Sequence, residues 1–538
     1  MGGKGHDQVS GGDPARRLAE WRMKRARFAP LAAGLALAGC MVGPDYVPPP
    51  VLAPEKFKEL KGNLVKGWKL AAPRDRVDAG PWWAVYNDPT LDTLEAQVEI
   101  SNQTVVAAVE AYEQARTLVR EAEAALFPTI NAGYSAQRQY TGKALVGGFT
   151  IAPGGAPAIA TSTTMIHGQT TAIYTAQGSL TWELDIWGKI RRQIESNVAG
   201  AQVSAADLEN AKLTAQAALA TAYFNRRAAV SLKELLERTA GAYRRTLEIT
   251  RNQYKTGSAA STDVVAAETQ LLSTEAQAVQ TGVVIAQLEH AIALLVGKAP
   301  AELSLPPAGL IGDIPVFPVE VPATLLERRP DISAAERMMQ QENALIGVAL
   351  AAYYPDITLS ANFGYTGFIP LPFNPAHEFW SLGAMATQTV FDGGLRSAQV
   401  DSATSTYRQS VANYRETVLA AFRQVEDQLA AIRIQRRQLQ LQEKAVVEAR
   451  RSVKAYLNQY HVGWVAFTSV VVAEAALLAA EQSALTTRQN LFAASVALIE
   501  ALGGGWDRSS LPTAGEATPR ISILPKIPPG APPPLVVE

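Results

Sequence analysis

Between residues 172 and 185 the chain alternates without a break. Tyr174, Ala176, Gly178, Leu180, Trp182 and Leu184 fall on one face, and Thr175, Gln177, Ser179, Thr181, Glu183 and Asp185 on the other. A period of two puts the two sets on opposite sides of a sheet. Ile357, Leu359, Ala361, Phe363 and Tyr365 alternate in the same way against Asp356, Thr358, Ser360, Asn362 and Thr366. Residues 129–140 alternate well and 379–391 less cleanly. The pattern therefore predicts four strands, 129–140, 172–185, 356–368 and 379–391. Each is long enough, at about 9–11 residues, to cross a bilayer at a tilt.

A half-buried sheet in water would alternate identically, but two details favour lipid. Aromatic residues gather near the strand ends: Phe127, Trp182, Trp187, Tyr354 and Phe391 at one end, and Tyr140, Tyr174, Phe368, Phe379 and Trp380 at the other. That is the girdle of an outer-membrane barrel. Arg138 is the one charge on an apolar face, and it sits near a strand end where it can snorkel. Single-chain barrels start at about eight strands. Four cannot close one, so several chains are expected to share a barrel.

Outside the strands the text turns helical. No proline interrupts 189–263 or 395–511. Continuous helices are predicted from about Lys189 to Lys255 and from about Leu395 to His461, each about 100 Å long at 1.5 Å per residue. Val411, Tyr414, Val418, Phe422, Val425, Leu429 and Ile432 follow the three-and-four spacing of a coiled-coil seam. Gly257 and Gly463 break the pattern and are expected to turn the chain back on itself. Asp88-Pro89 offers a helix N-cap followed by proline.

These elements occur twice. Asn252-Gln253-Tyr254-Lys255-Thr256-Gly257 matches Asn458-Gln459-Tyr460-His461-Val462-Gly463, an offset of 206 (463 − 257). The same offset pairs Gly188 with Gly394 and Gly297 with Gly503. Phe127-Pro128-Thr129-Ile130 matches Tyr354-Pro355-Asp356-Ile357 at an offset of 227 (355 − 128). The difference of 21 residues places a longer loop in the first copy, where 141–171 is rich in Gly, Ala and Thr. Matches in one order at constant offset indicate an internal duplication. The predicted layout is a first repeat over 82–300, a proline-rich linker over 301–322 and a second repeat over 323–505. A proline-rich tail over 506–538 is expected to be partly disordered and dispensable for a channel.

Composition narrows the function. The chain has 538 residues, one cysteine and a formal net charge of −1. Mixed charge gives no basic footprint for nucleic acid. A lone cysteine builds neither a disulfide framework nor a multi-cysteine metal site, and no cofactor or metal is expected. No uninterrupted apolar run reaches the length of a membrane-spanning helix, so a bilayer would be crossed by strands. Lys24, Arg25 and Arg27 precede the apolar stretch Phe28–Ala38, which ends in Leu37-Ala38-Gly39-Cys40. This is a signal peptide over 1–39 with a lipobox, and Cys40 is the expected lipidation point at the head of a segment 40–81. Met23 is an alternative start. The five histidines are scattered, with no HExxH, GxSxG or phosphate-binding loop, so an enzyme is not expected.

Taken together, the lipobox, Met41-Val42-Gly43-Pro44-Asp45-Tyr46, Trp82-Trp83 with Asp88-Pro89, Glu183-Leu184-Asp185-Ile186-Trp187-Gly188, Arg328-Arg329-Pro330-Asp331-Ile332, Phe391-Asp392-Gly393-Gly394 and the two glycine turns carry a resemblance. Over about Cys40 to Trp506 the chain resembles the TolC-like outer-membrane factors, most closely the NodT/OprM-type lipoproteins of efflux systems. The resemblance implies a mainly α, internally duplicated long-helix barrel. Four transmembrane strands per chain would be shared in a homotrimeric twelve-stranded β-barrel. It also implies an outer-membrane location with a large periplasmic part, outer-membrane lipid around the strands, and a periplasmic adaptor (membrane fusion) protein and an inner-membrane pump as partners. Thr256, Gly257, Ser258, Gly463 and Trp464 then fall in the tip turns that meet the adaptor. Tyr460, Val465, Phe467, Ser469 and Asp263 fall at the aperture. The stretch after Gly463 lacks the family's carboxylates, which implies a mainly apolar constriction. A channel for type I protein secretion shares this architecture and is the alternative. A structural coiled-coil surface protein would account for the helices but not for the strands.

Overall fold

The structure is a computed structural model that describes residues 41–50, 54, 57–60, 81–142, 144–147, 163–166, 168–310, 328–370 and 373–518. Cys40, the predicted signal peptide, much of the linker and residues 519–538 lie outside the described residues. The helices are α1 (Pro89–Ser101), α2 (Gln103–Ala124), α3 (Lys189–Lys255), α4 (Ser261–Leu295), α5 (Pro330–Ala351), α6 (Leu395–His461), α7 (Phe467–Ala501) and α8 (Ala514–Ala517). The strands are β1 (Thr129–Thr141), β2 (Ala144–Gly147), β3 (Thr163–Ile166), β4 (Gln169–Leu184), β5 (Asp356–Gly367) and β6 (Glu378–Thr387).

The duplication holds to the residue. Helices α2 and α5 each have 22 residues, offset by 227 (330 − 103). Helices α3 and α6 each have 67 residues, offset by 206 (395 − 189). Helices α4 and α7 each have 35, also offset by 206 (467 − 261). The 21-residue difference is confined to the connection between β1 and β4, where β2 and β3 pair as an additional hairpin. The loop expected there is thus partly strand.

The chain divides into two compact units, residues 1–46, 120–196 and 342–405, and residues 47–119, 197–341 and 406–538. The first unit holds an antiparallel sheet of order β1-β4-β5-β6. Its register pairs Thr129 with Thr181, Trp182 with Leu359, and Ile357 with Ala386. Among the described residues, β1 and β6 are its free edges. Strand β6 stops at Thr387, four residues short of the predicted limit of 391. There Gln388 donates its side-chain amide to the Tyr353 carbonyl at 2.9 Å instead of continuing the ladder. Each long helix starts on an aspartate. Asp185 accepts from the backbone N–H groups of Ile190 and Arg191 and from Arg191 Nε. Asp392 accepts from the N–H groups of Gly394 and Arg396 and from Arg396 Nε. These carboxylates satisfy donors that a helix N-terminus leaves open.

Arg192, one turn into α3, is only 2% exposed. It donates to the carbonyls of Val42 and Gly43 at 3.2 and 3.1 Å, and pairs with Asp45 at 2.9 Å and Glu195 at 2.7 Å. Asn343 holds the Pro44 carbonyl at 2.9 Å. Gly43 has φ +104°, and a Cβ there would lie 2.5 Å from the Gly347 Cα. The segment just after Cys40 is therefore clamped against this unit by a buried guanidinium and a close backbone approach.

The second unit is helical. Asp88 caps α1 by accepting from Thr90 and Leu91 N–H, and also pairs with Arg227 and accepts from the Tyr223 hydroxyl. Around it Trp82, Trp83, Leu91, Leu94, Val98, Leu219, Phe224, Ile292, Phe492 and Val496 form the main core. Gly297 and Gly503 close α4 and α7 with φ +70° and +94°. A Cβ on either would lie 2.0 Å from a carbonyl oxygen, that of Ser101 or of Arg328. Those carbonyls are themselves 227 residues apart (328 − 101), so the duplication extends to this contact. The tail is less free than its composition suggests. Ala517 is buried with Val119 and Ala201, Gln202 donates to the Pro512 carbonyl at 2.9 Å, and Arg508 pairs with Glu336 at 2.8 Å.

Helices α4 and α7 are long and apolar enough to cross a membrane by length and composition alone. Their charges argue against that. Glu268, Glu275 and Glu289 stand along α4, each paired with an arginine of α3, and charge within a bilayer core is costly. Val265, Leu272, Val279 and Val283 remain exposed on α4 and Val472 on α7.

Candidate functional site

The two glycine turns are built identically. At the first, Ser258 N–H bonds the Gln253 carbonyl at 2.8 Å and Gly257 N–H the Tyr254 carbonyl at 3.0 Å. At the second, Trp464 N–H bonds the Gln459 carbonyl at 2.9 Å and Gly463 N–H the Tyr460 carbonyl at 3.0 Å. Both glycines have φ +78°. This is the Schellman closure, which needs a left-handed residue at that position.

Their surfaces differ. In the first turn Thr256 donates to the Gln253 carbonyl at 2.9 Å and meets the Ser258 hydroxyl at 3.2 Å, a small polar cap. In the second, the position equivalent to Ser258 is Trp464, 81% exposed, beside an exposed Val462. An indole held in water by a rigid turn is an unusual surface residue, since aromatic rings gain most from burial.

Behind the turns lies a cluster of Ala240, Tyr243, Leu247, Ala267, Leu271, Phe467 and Val470, with Leu457 and Tyr460 against it. Tyr460 and Phe467 sit 5.3 Å apart, ring to ring. Burial raises the Tyr460 hydroxyl above its ordinary pKa, opposed by Thr250 and aided by Asp263. Phe467, expected at the aperture, is only 1% exposed. It packs the return helix onto the long helices and is not a lining residue. Asp263 is turned inward to its own helix, accepting from the Ala260 N–H at 3.3 Å. Ser469 occupies the equivalent position in α7 (469 − 263 = 206), and Val465 lies half-buried beside the second turn. The structure thus brings Tyr460, Phe467 and Asp263 together, while Trp464 and the Thr256–Ser258 cap stay on the surface.

Sequence reasoning passed over Glu474 and Thr246. Glu474 is 7% exposed and accepts from the Thr246 hydroxyl at 3.2 Å. A signal was available in the duplication. Glu268 has Arg251 as its partner, and the residue equivalent to Arg251 beside Glu474 is Leu457 (457 − 251 = 206). Among the described residues no group of His, Cys, Asp and Glu is arranged to hold a metal ion.

Comparison with known proteins agrees with this architecture. A family profile described as outer membrane efflux protein matches residues 91–298 and 321–504. The chain is 30% identical over 494 residues to the toluene efflux pump outer membrane protein TtgF of Pseudomonas putida, covering 90% of this chain and 98% of that one. It is 29% identical over 501 residues to nodulation protein T of Rhizobium leguminosarum bv. trifolii, again covering 90% and 98%. Among solved structures, the outer-membrane channel OprN superposes with a TM-score of 0.76 at 28% identity, covering 87% of this chain and all of that one.

Proposed function

Because the chain belongs to the outer membrane efflux protein family, we propose that it is the outer-membrane channel subunit of a tripartite efflux system. In this reading it passes small molecules from an inner-membrane pump and a periplasmic adaptor to the exterior. The observation that carries this reading is the open sheet. Strands β1 and β6, of 13 and 10 residues, are edges without a partner among the described residues. Long free edges recruit further strands, and in a bilayer every backbone group needs an internal partner. Three copies supply twelve strands and close the barrel. The exposed apolar faces of α4 and α7 suit the same assembly, since a neighbouring copy would cover them.

The turns are the surfaces that meet the adaptor, through Thr256, Gly257, Ser258, Gly463 and Trp464. Tyr460, Val465, Ser469 and Asp263 belong to the aperture behind them, with Phe467 as its packing support. Cys40 carries the lipid anchor. The Arg192 clamp fits this assignment, because it fixes the chain within five residues of the acyl attachment.

The test is assembly and conductance together. Protein extracted from outer membranes should run at the mass of three chains and conduct ions in planar bilayers. Loss of the gene should sensitise cells to compounds exported by the cognate pump. A conducting monomer, or a trimer without conductance, would refute the shared barrel.

A further inference from the structure

The duplicated ion pairs between long and return helices are broken at one place. In the first copy Arg244 pairs with Glu275, and Arg251 with Glu268 at 3.0 Å. The second copy keeps the first of these as Arg450 with Glu481 at 2.6 Å. At the other position the glutamate survives as Glu474, but its arginine has become Leu457. Exposure changes with the pairing: the Arg251–Glu268 pair is about half-exposed, whereas Glu474 is buried.

Glu474 therefore sits in the interface between α7 and α3 with a single hydroxyl donor, Thr246 at 3.2 Å. The other groups around it are accounted for. From α3 the Tyr243 hydroxyl faces it, and that hydroxyl accepts from Gln270 of α4 at 3.4 Å. On α4, Glu268 is held by Arg251. On α6, Leu457 is apolar and Arg450 is engaged by Glu481, the next carboxylate along α7. Among the described residues no cation pairs with Glu474. Burial pushes its carboxyl up to about 7, with the Thr246 hydroxyl opposing.

We propose that Glu474 is a proton-operated latch between α7 and α3, just behind the second turn. Protonated, it seats α7 on α3 through Thr246. Deprotonated, an unpaired carboxylate in an apolar interface draws in water and loosens the contact. The proposal rests on the reading that these turns flank the aperture. The sign follows from the direction of the shift. A carboxyl raised above its ordinary value binds its proton more tightly in the packed state, so the packed state weakens as pH rises through about 7.

The experiment uses the assembled protein, with hydrogen exchange of residues 467–478 and single-channel conductance measured from about pH 6 to about pH 8. In the wild type, protection of 467–478 should fall and open probability rise across this range. Glu474→Gln, nearly isosteric, should hold protection high and flatten both responses. Leu457→Arg restores the first-copy pairing and should move the midpoint to lower pH. Thr246→Val removes the donor to the carboxylate and should move it to higher pH, by about half a pH unit to one. A Glu474→Gln protein that keeps the wild-type pH response in exchange would overturn the latch. Exchange that responds as expected while conductance stays flat would instead overturn the aperture reading, so the two failures are separable.

Discussion

Glu95 and Arg192 show two ways of burying charge. Glu95 is 0% exposed, and neither of its carboxylate oxygens has a partner. Burial, with Glu99 nearby, pushes it up to about 9, so it is buried as the neutral acid. The folded state then holds a proton that the unfolded chain releases, and stability is lost as pH rises from the ordinary carboxylate range towards about 9. Glu95→Gln should raise the melting temperature at pH 7 and above, by the equivalent of about 1–3 kcal/mol, and change little near pH 4. Thermal melts across pH would show it; equal gains at both ends of the range would contradict the assignment. Arg192 is buried as an ion and is fully engaged. Arg192→Ala strands Asp45 and Glu195 and frees the Val42 and Gly43 carbonyls, at a cost of about 3–5 kcal/mol. Limited proteolysis near residues 41–46 should report release of that segment.

At the level of elements, the paired glycines separate two effects. Nothing lies within 4 Å of a Cβ on Gly257 or Gly463, so alanine there meets only the left-handed backbone penalty of about 1 kcal/mol. Gly297 and Gly503 carry that penalty and a carbonyl 2.0 Å from the new atom. Alanine at either should disrupt the junction far more, and comparison of the four variants by denaturant unfolding should group them in these two pairs. The turns and long helices were legible in the sequence because their signals are local: a left-handed glycine after an Asn-Gln-Tyr turn, and long proline-free text. The end of β6 was not, because Gln388 leaves the ladder for a carbonyl 35 residues away in sequence. Nor was the burial of Phe467, since a residue at the head of a helix has no period to show which way it faces. The role of Ala517 depends on Val119 and Ala201, which no pattern near the tail encodes.

For the whole molecule, four strands and an exposed apolar face on each return helix lead to the same expectation, a chain that is finished only by its copies. An acidic substitution at Val465, half-buried beside the second turn, should alter single-channel conductance if that turn flanks the constriction; planar-bilayer recordings with unchanged conductance would count against it. Replacing Trp464 with serine, the residue of the equivalent position in the first copy, should leave trimer and conductance intact and weaken adaptor capture in a pull-down. An unchanged pull-down would remove the indole from the contact.

The matched lengths of the helices have a consequence for how such a chain can change. A residue added to α3 shifts its turn along the helix and out of step with that of α6, so a length change in one copy needs a compensating change in the other. The β1–β4 connection has no such twin to match, and it already carries 21 residues that the second copy lacks (227 − 206). Epitope tags and natural insertions should be tolerated there and refused in the helices, which makes this loop the place where lineages are free to diverge.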